Sequence, residues 1–272
     1  MTTDVIATLY CVPYAGGTGQ AYARLNHRAK DTPRLAGLDL PGRGTRRGVP
    51  PAHTSAEAVA ALAGQVRAEL RTKPPSSRYG LFGHSFGALL AHLLAAELSA
   101  GHDVPPAVLV VSNCPPPHLI GHLDGSADVL LEVAARALRD TVRPGAGPGP
   151  GRVRDASVEF GRRDLALLRH GPKGEPPLLD IPVAGLCGTD DPLQPGRTMA
   201  AWARWTRSRF VLRAVPGGHF CFRDHPGPYL DALRSQLMTT TGAKADDAHD
   251  DRCEPARRGG HRPSPAARGH RH

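Results

Sequence analysis

The sequence predicts an α/β fold, a mostly parallel, doubly wound central sheet with helices on both faces. Three observations carry that reading. Short apolar runs rich in β-formers alternate with stretches of helical period, the pattern of parallel strands joined by helical crossovers. One of those runs ends in Gly83-His84-Ser85-Phe86-Gly87 and continues at once as an apolar, alanine-rich helix, which puts a serine on a tight strand-to-helix turn. Later strand ends carry a carboxylate and then a histidine, so reactive side chains gather on the sheet edge where such folds bind ligands.

Taken in order, Val5 to Val12 reads as a buried strand stopped by Pro13. Tyr14-Ala15-Gly16-Gly17-Thr18-Gly19 is a glycine-rich turn leading to a helix from about Gln20 to Ala29. Such turns can cradle phosphate, but this one lacks both the Gly-x-Gly-x-x-Gly spacing and the Gly-Lys-Ser/Thr ending of nucleotide sites. Leu35 to Leu40 is a second strand, followed by Pro41-Gly42-Arg43-Gly44, where Arg43, Arg46 and Arg47 read as solvated loop charges. Thr54-Ser55-Ala56-Glu57 carries the N-cap signature of a helix running to about Arg71, which Pro74-Pro75 ends. The serine-bearing strand and a helix to about Ser99 come next, then a buried strand from Ala107 to Ser112.

Residues 113–180 break the alternation with Pro115-Pro116-Pro117, a helix from Ala127 to Leu138, a Gly/Pro run from Pro144 to Gly151 and a helical stretch near Arg163 to Arg169. An insertion at this point is where a lid over the site would sit. The sheet resumes at Ile181 to Cys187, a helix follows from about Gly196 to Trp205, then a strand from Phe210 to Val215 and a last helix from Pro228 to Met238. We read 1–241 as one domain and 242–272, polar and aperiodic, as a disordered tail.

The 272 residues suffice for one large core. The net charge of +9 is nearly all arginine, since lysine occurs only at Lys30, Lys73, Lys173 and Lys244. No basic run interleaved with aromatics supports nucleic-acid binding, and a basic face toward an acidic partner fits better. The five cysteines are odd in number, scattered and without a Cys-x-x-Cys pair, so we expect reduced, buried thiols. The N-terminal residues lack a signal-peptide pattern and no apolar run is long enough to span a bilayer, so the expected location is the cytoplasm, with no membrane partner.

A serine hydroxyl is a weak nucleophile unless a base takes its proton, and the base needs an acid to hold its tautomer. The chain offers Ser85, then Asp190 or Asp191, then His219, each just after a strand, in the chain order of the α/β-hydrolase triad. Asp191, directly before Pro192 in a Gly-x-x-Asp-Pro turn, is preferred as the acid, with Asp190 as the alternative. His84 adjoins the nucleophile but points the wrong way from the turn and reads as a packing residue. Backbone N–H groups of Ala15 and Phe86 are the candidate oxyanion donors. A serine at the elbow argues against a dehalogenase, which needs a carboxylate there. No metal or nucleotide cofactor is called for.

Five segments together, Cys11 to Gly17, Leu40 to Gly44, Gly83 to Ala88, Gly188 to Pro192 and Pro216 to Phe220, resemble the type II thioesterases, α/β-hydrolases that accompany nonribosomal peptide and polyketide synthases. The resemblance runs in order from about Val5 to Leu237 and departs from the family in the Gly/Pro run of the lid and in the long tail. It implies hydrolysis of acyl thioesters from the phosphopantetheine arm of acyl or peptidyl carrier proteins, clearing stalled or misprimed chains, with Ala15 and Phe86 as oxyanion donors. The residues leave two other readings open: a small-ester hydrolase or acyltransferase with the same triad, and a binding module that holds carrier proteins without turnover.

Overall fold

The N-terminal apolar run becomes β1 (Ile6–Val12), which lies inside a six-stranded sheet rather than at its edge. The structure, a computed structural model, describes residues 5–28, 33–101, 103–120, 150–169, 177–191 and 196–241. Its other strands are β2 (Arg34–Gly37), β3 (Arg78–His84), β4 (Leu109–Ser112), β5 (Val183–Gly188) and β6 (Phe210–Val215), in the order β2-β1-β3-β4-β5-β6. Every pairing among them is parallel. The helices are α1 (Gln20–Asn26), α2 (Ser55–Leu70), α3 (Phe86–Ala100), α4 (Pro117–Ile120), α5 (Pro150–Arg169), α6 (Gly196–Ala200), α7 (Cys221–Asp224) and α8 (Pro226–Thr241). The fold is thus the α/β-hydrolase-like arrangement expected.

Period-two alternation divides the strand residues between two apolar layers. Tyr10, Val12, Leu81, Leu109, Val111 and Val183 face one layer, closed by Leu62 and Val66 of α2 and Leu90, Leu94 and Leu98 of α3. Leu9, Cys11, Phe82, Val110 and Leu186 face the other, closed by Tyr22 of α1 and by Tyr229, Leu233 and Leu237 of α8. Strands buried on both faces have no polar side to show, which is why β1, β3 and β4 read as unbroken apolar runs. Helix α3 is apolar nearly all round because it is buried nearly all round.

The register aligns the carboxyl ends of the central strands. Val12 sits beside Gly83, His84 beside Ser112, and Ser112 beside Leu186. The loops leaving β1, β3, β4, β5 and β6 therefore emerge at one rim. Helix α2 starts as the sequence implies: Thr54, extended at φ −129°, accepts from the Glu57 N–H at 3.1 Å, a cap worth about 1 kcal/mol.

Some expectations differ. The second strand stops at Gly37 instead of Leu40. The expected helix over 196–205 is α-helical only to Ala200 and then a 3₁₀ turn over Ala201–Trp205. Three residues per turn stack Trp202 and Trp205 on one side, and both are buried there. The helical stretch near 163–169 begins at Pro150, inside the Gly/Pro run, with proline at a first-turn position where its missing N–H costs nothing. The expected helix from Ala127 to Leu138 and the tail 242–272 lie outside the described residues. No helix among the described residues is long and apolar enough to cross a membrane. Cys11, Cys114, Cys187 and Cys221 are buried and form no disulfide among the described residues, in line with the expected reduced, buried thiols, and Cys253 lies outside the described residues.

Candidate active site

The turn between β3 and α3 holds Ser85 at φ +53°, ψ −131°, a conformation costly for a residue with a side chain and typical of functional turns. The two flanking glycines make it possible. A Cβ on Gly83 would lie 2.3 Å from the Gly87 carbonyl oxygen, and one on Gly87 would lie 2.4 Å and 2.5 Å from the carbonyl oxygens of Val12 and Pro13. The first turn of α3 therefore rests directly on the end of β1. The Ser85 N–H is bonded to the Ser112 carbonyl at 2.8 Å, which ties the strained turn to β4.

His219 and Asp191 arrive on the loops after β6 and β5. These loops touch: a Cβ on Gly188 would lie 2.4 Å from the carbonyl oxygens of both Gly217 and Gly218. His219 Nδ1 is 2.8 Å from Asp191 Oδ2 and His219 Nε2 is 3.0 Å from Ser85 Oγ. A carboxylate only accepts, so Nδ1 carries the imidazole proton and Nε2 is left to accept from the serine hydroxyl. Asp191 is buried, whereas Asp190 is exposed and bonded by the Thr189 hydroxyl at 3.1 Å. Of the two carboxylates left open by the sequence, Asp191 is the one on the histidine.

Behind Asp191 runs a buried chain of hydrogen bonds. Asn113 Nδ2 donates to Asp191 Oδ2 at 2.6 Å, the Ser112 hydroxyl donates to Asn113 Oδ1 at 3.1 Å, and the Tyr229 hydroxyl donates to Ser112 Oγ at 2.9 Å. Burial holds the Tyr229 hydroxyl well above the ordinary phenol range, so it stays a donor. His84 Nδ1 sits 3.2 Å from the second lone pair of Ser112 Oγ, whose proton is already committed, so that nitrogen carries a hydrogen. His84 is fully buried, its ring 5.1 Å from that of His219. Burial, and then the neighbouring His219 and Arg223, push it well below the usual histidine range. A neutral His84 packs against His219 without opposing a positive charge on it.

Ala15 and Phe86 are both buried. The Phe86 N–H is the first of α3 and has no helical acceptor, and the Ala15 N–H has none among the described residues. The Gly17 N–H bonds the Tyr14 carbonyl at 2.8 Å, closing a four-residue turn with Gly16 third at φ +76°, the type II arrangement that favours glycine there. The Gly16 N–H donates to Asp164 Oδ2 of α5 at 2.8 Å, and Arg43 Nη1 lies 2.9 Å and 2.8 Å from the two oxygens of the same carboxylate.

Arg43 is thus no solvated loop charge: it is 3% exposed, locked to an aspartate 121 residues away and set over the Phe160 ring. Arg47 is exposed as expected. Sequence reasoning missed Asn113 and Asp164 as well. Asn113 carries one faint signal, a short polar residue at a strand end suited to its left-handed φ of +49°. Asp164 sits in a charged helix and carries none.

Comparison with known proteins agrees with this architecture. The thioesterase domain family matches residues 7–237. The thioesterase PikA5 of Streptomyces venezuelae is 31% identical over 246 residues, covering 86% of this chain and 82% of that protein. Among solved structures, RedJ, a thioesterase from the prodiginine biosynthetic pathway of Streptomyces coelicolor, superposes with a TM-score of 0.69 at 30% identity, covering 87% of each chain. The type II thioesterase BorB from the borrelidin biosynthetic cluster gives 0.65 at 26% identity, covering 85% of this chain and 92% of that one.

Proposed function

This chain belongs to the thioesterase family, and on that premise we propose that it is a type II thioesterase that hydrolyses acyl groups from the phosphopantetheine arm of carrier proteins. The observation that carries the proposal is the relay from Asp191 through His219 to Ser85, at 2.8 Å and 3.0 Å, on a strained turn at the carboxyl edge of a parallel sheet. The likeness to BorB, a type II thioesterase, and to RedJ, a thioesterase of a biosynthetic pathway, supports the substrate class. The excess of arginine suits a partner with an acidic surface.

In this reading Ser85 Oγ attacks the thioester carbonyl while its proton passes to His219 Nε2. Asp191 stays ionised and steadies the imidazolium. The carbonyl oxygen, now an oxyanion, is held by the N–H groups of Ala15 and Phe86. Collapse breaks the C–S bond, and His219 returns its proton to the departing pantetheine sulfur. Water then takes the place of the thiol: His219 accepts its proton, the hydroxide attacks the acyl-serine, and collapse releases the acid and restores the Ser85 hydroxyl. A thiolate leaves more readily than an alkoxide, so most of the catalytic burden falls on activating Ser85 and on the oxyanion.

The test compares acyl release from an acyl-phosphopantetheinyl carrier protein with cleavage of a p-nitrophenyl ester, for the wild type and Ser85→Ala. Loss of the serine is expected to lower kcat about 10⁴-fold or more with the fold intact. The wild type is expected to favour the carrier-bound thioester. A folded Ser85→Ala protein that still turns over would overturn the mechanism, and fast ester cleavage with an untouched carrier thioester would overturn the substrate assignment.

A further inference from the structure

The β1–α1 turn that presents Ala15 is held from outside the sheet, by a residue of the insertion. We propose that Asp164 is a positioning residue of the hydrolase, which sets the oxyanion turn from α5 by accepting the Gly16 N–H, while Arg43 neutralises the carboxylate beside the site where negative charge develops. The proposal rests on the assignment of Ser85 and Ala15 made above.

Four observations meet at this point. The Asp164 carboxylate receives the Gly16 N–H at 2.8 Å, across 148 residues of sequence. Asp164 and Arg43 have side chains only 5% and 3% exposed, so this ion pair is a built feature of the interior rather than a surface encounter. Helix α5 lies against the turn backbone, since a Cβ on Gly161 would stand 3.9 Å from the Ala15 carbonyl and the Gly16 nitrogen, in ordinary contact. Leu165 and Leu167 anchor the same helix in the main apolar layer.

The physical argument turns on the peptide between Ala15 and Gly16. Types I and II of a four-residue turn differ mainly by a flip of that central peptide, and with glycine third both are accessible. Its N–H is the group that Asp164 holds. Keeping that N–H on a fixed acceptor selects the type II form and with it the backbone angles at Ala15, one bond from the N–H that would meet the oxyanion. A bare carboxylate this close would disfavour the oxyanion; burial holds Asp164 above the ordinary carboxylate range, and the guanidinium of Arg43 and the Gly16 N–H act against that shift without cancelling it. The pair thereby presents a hydrogen-bond acceptor to the turn with little net charge. A buried pair of this kind is weak evidence for stability, because desolvation of both ions offsets their attraction. A functional reason to keep it is the better account.

Removing one ion alone would strand the other, so the test uses neutral pairs. Arg43→Met/Asp164→Asn keeps an amide oxygen for the Gly16 N–H, whereas Arg43→Met/Asp164→Leu has similar volume and no acceptor. Both lose the ion pair equally, and melting temperatures show that both fold. The proposal expects the leucine variant to have a kcat for thioester hydrolysis roughly 10–100-fold below that of the asparagine variant, part of the loss seen when an oxyanion donor is deleted. KM is expected to stay within about threefold, and binding of an alkyl boronic acid that mimics the tetrahedral adduct on Ser85 is expected to weaken in parallel with kcat. Equal kcat and equal boronate binding in the two folded variants would overturn the positioning role and leave the Ser85 mechanism untouched. An active Ser85→Ala protein would instead remove the mechanism on which the proposal rests.

Discussion

Asp191 and Asp190 are adjacent, share a charge and differ only in where the turn after β5 sends them, so substituting each with asparagine isolates geometry from composition. Asp191 Oδ2 faces two donors, His219 Nδ1 at 2.8 Å and Asn113 Nδ2 at 2.6 Å. In Asp191→Asn an amide nitrogen turned toward them would meet donor against donor. Turned the other way, the oxygen keeps both contacts but the negative charge is gone. The attraction between an imidazolium and a carboxylate 2.8 Å apart is about 6 kcal/mol at an effective dielectric of about 20. Solvent and the remaining hydrogen bond recover part of that, and a loss of about 4–5 kcal/mol corresponds to roughly 10³–10⁴ in kcat, the range expected when an orienting aspartate is replaced. Asp190→Asn touches only an exposed carboxylate bonded by Thr189 and is expected to leave kcat within about twofold. Steady-state hydrolysis of an acyl-pantetheine thioester, with melting temperatures alongside, checks both. A folded Asp191→Asn enzyme within about tenfold of wild type, or an Asp190→Asn enzyme with the larger loss, would refute the reasoning.

Two further outcomes follow from packing and burial. In Gly87→Ala the new methyl meets the Val12 and Pro13 carbonyl oxygens at 2.4 Å and 2.5 Å, both backbone, so α3 must move off β1. That strain is expected to cost about 1–3 kcal/mol, read as a melting point lower by several degrees, and the displaced serine about 10²-fold in kcat; an unaltered kcat would show that the elbow tolerates the shift. His92, packed edge-on against Trp202 and Trp205, is pushed down to about 4 by burial. Below pH 6.5 the unfolded chain binds a proton there that the native state refuses, so stability is full above 6.5 and falls as pH drops, by about 1.4 kcal/mol per unit and about 3 kcal/mol by pH 4. His84, also held low by burial, adds to the fall with the same sign. Urea midpoints measured between pH 6.5 and 4 are expected to decline less steeply in His92→Leu, and an identical acid slope would contradict a neutral, buried His92.

Much of the fold was legible because burial on both faces leaves a local mark. The strands β1, β3 and β4 announce themselves as apolar runs, and Gly83 and Gly87 carry the steric demand of the elbow in the sequence itself. Turn chemistry marked the strand ends where Ser85, Asp191 and His219 sit. The side chains whose roles were not legible are of another kind. Arg43, in a glycine-rich turn, looks solvated because the acid near it in sequence, Asp39, bonds Gly19 and Thr45 instead, and its actual partner Asp164 lies 121 residues away. Asn113 looks like the start of a loop, and its contact with Asp191 crosses 78 residues.

The sequence by itself determined which residue types stand at the rim of the sheet, because local periodicity, glycine sterics and turn residues act over a few positions and leave their pattern in the chain. Only the tertiary structure decided which aspartate meets His219, that His84 is kept neutral beside it, and that an aspartate of the insertion holds the turn bearing Ala15. Those outcomes depend on the close approach of the loops after β5 and β6 and on the packing of α5 against the β1 loop. Contacts between segments from 28 to 148 residues apart are set by how elements dock, and no local pattern encodes them.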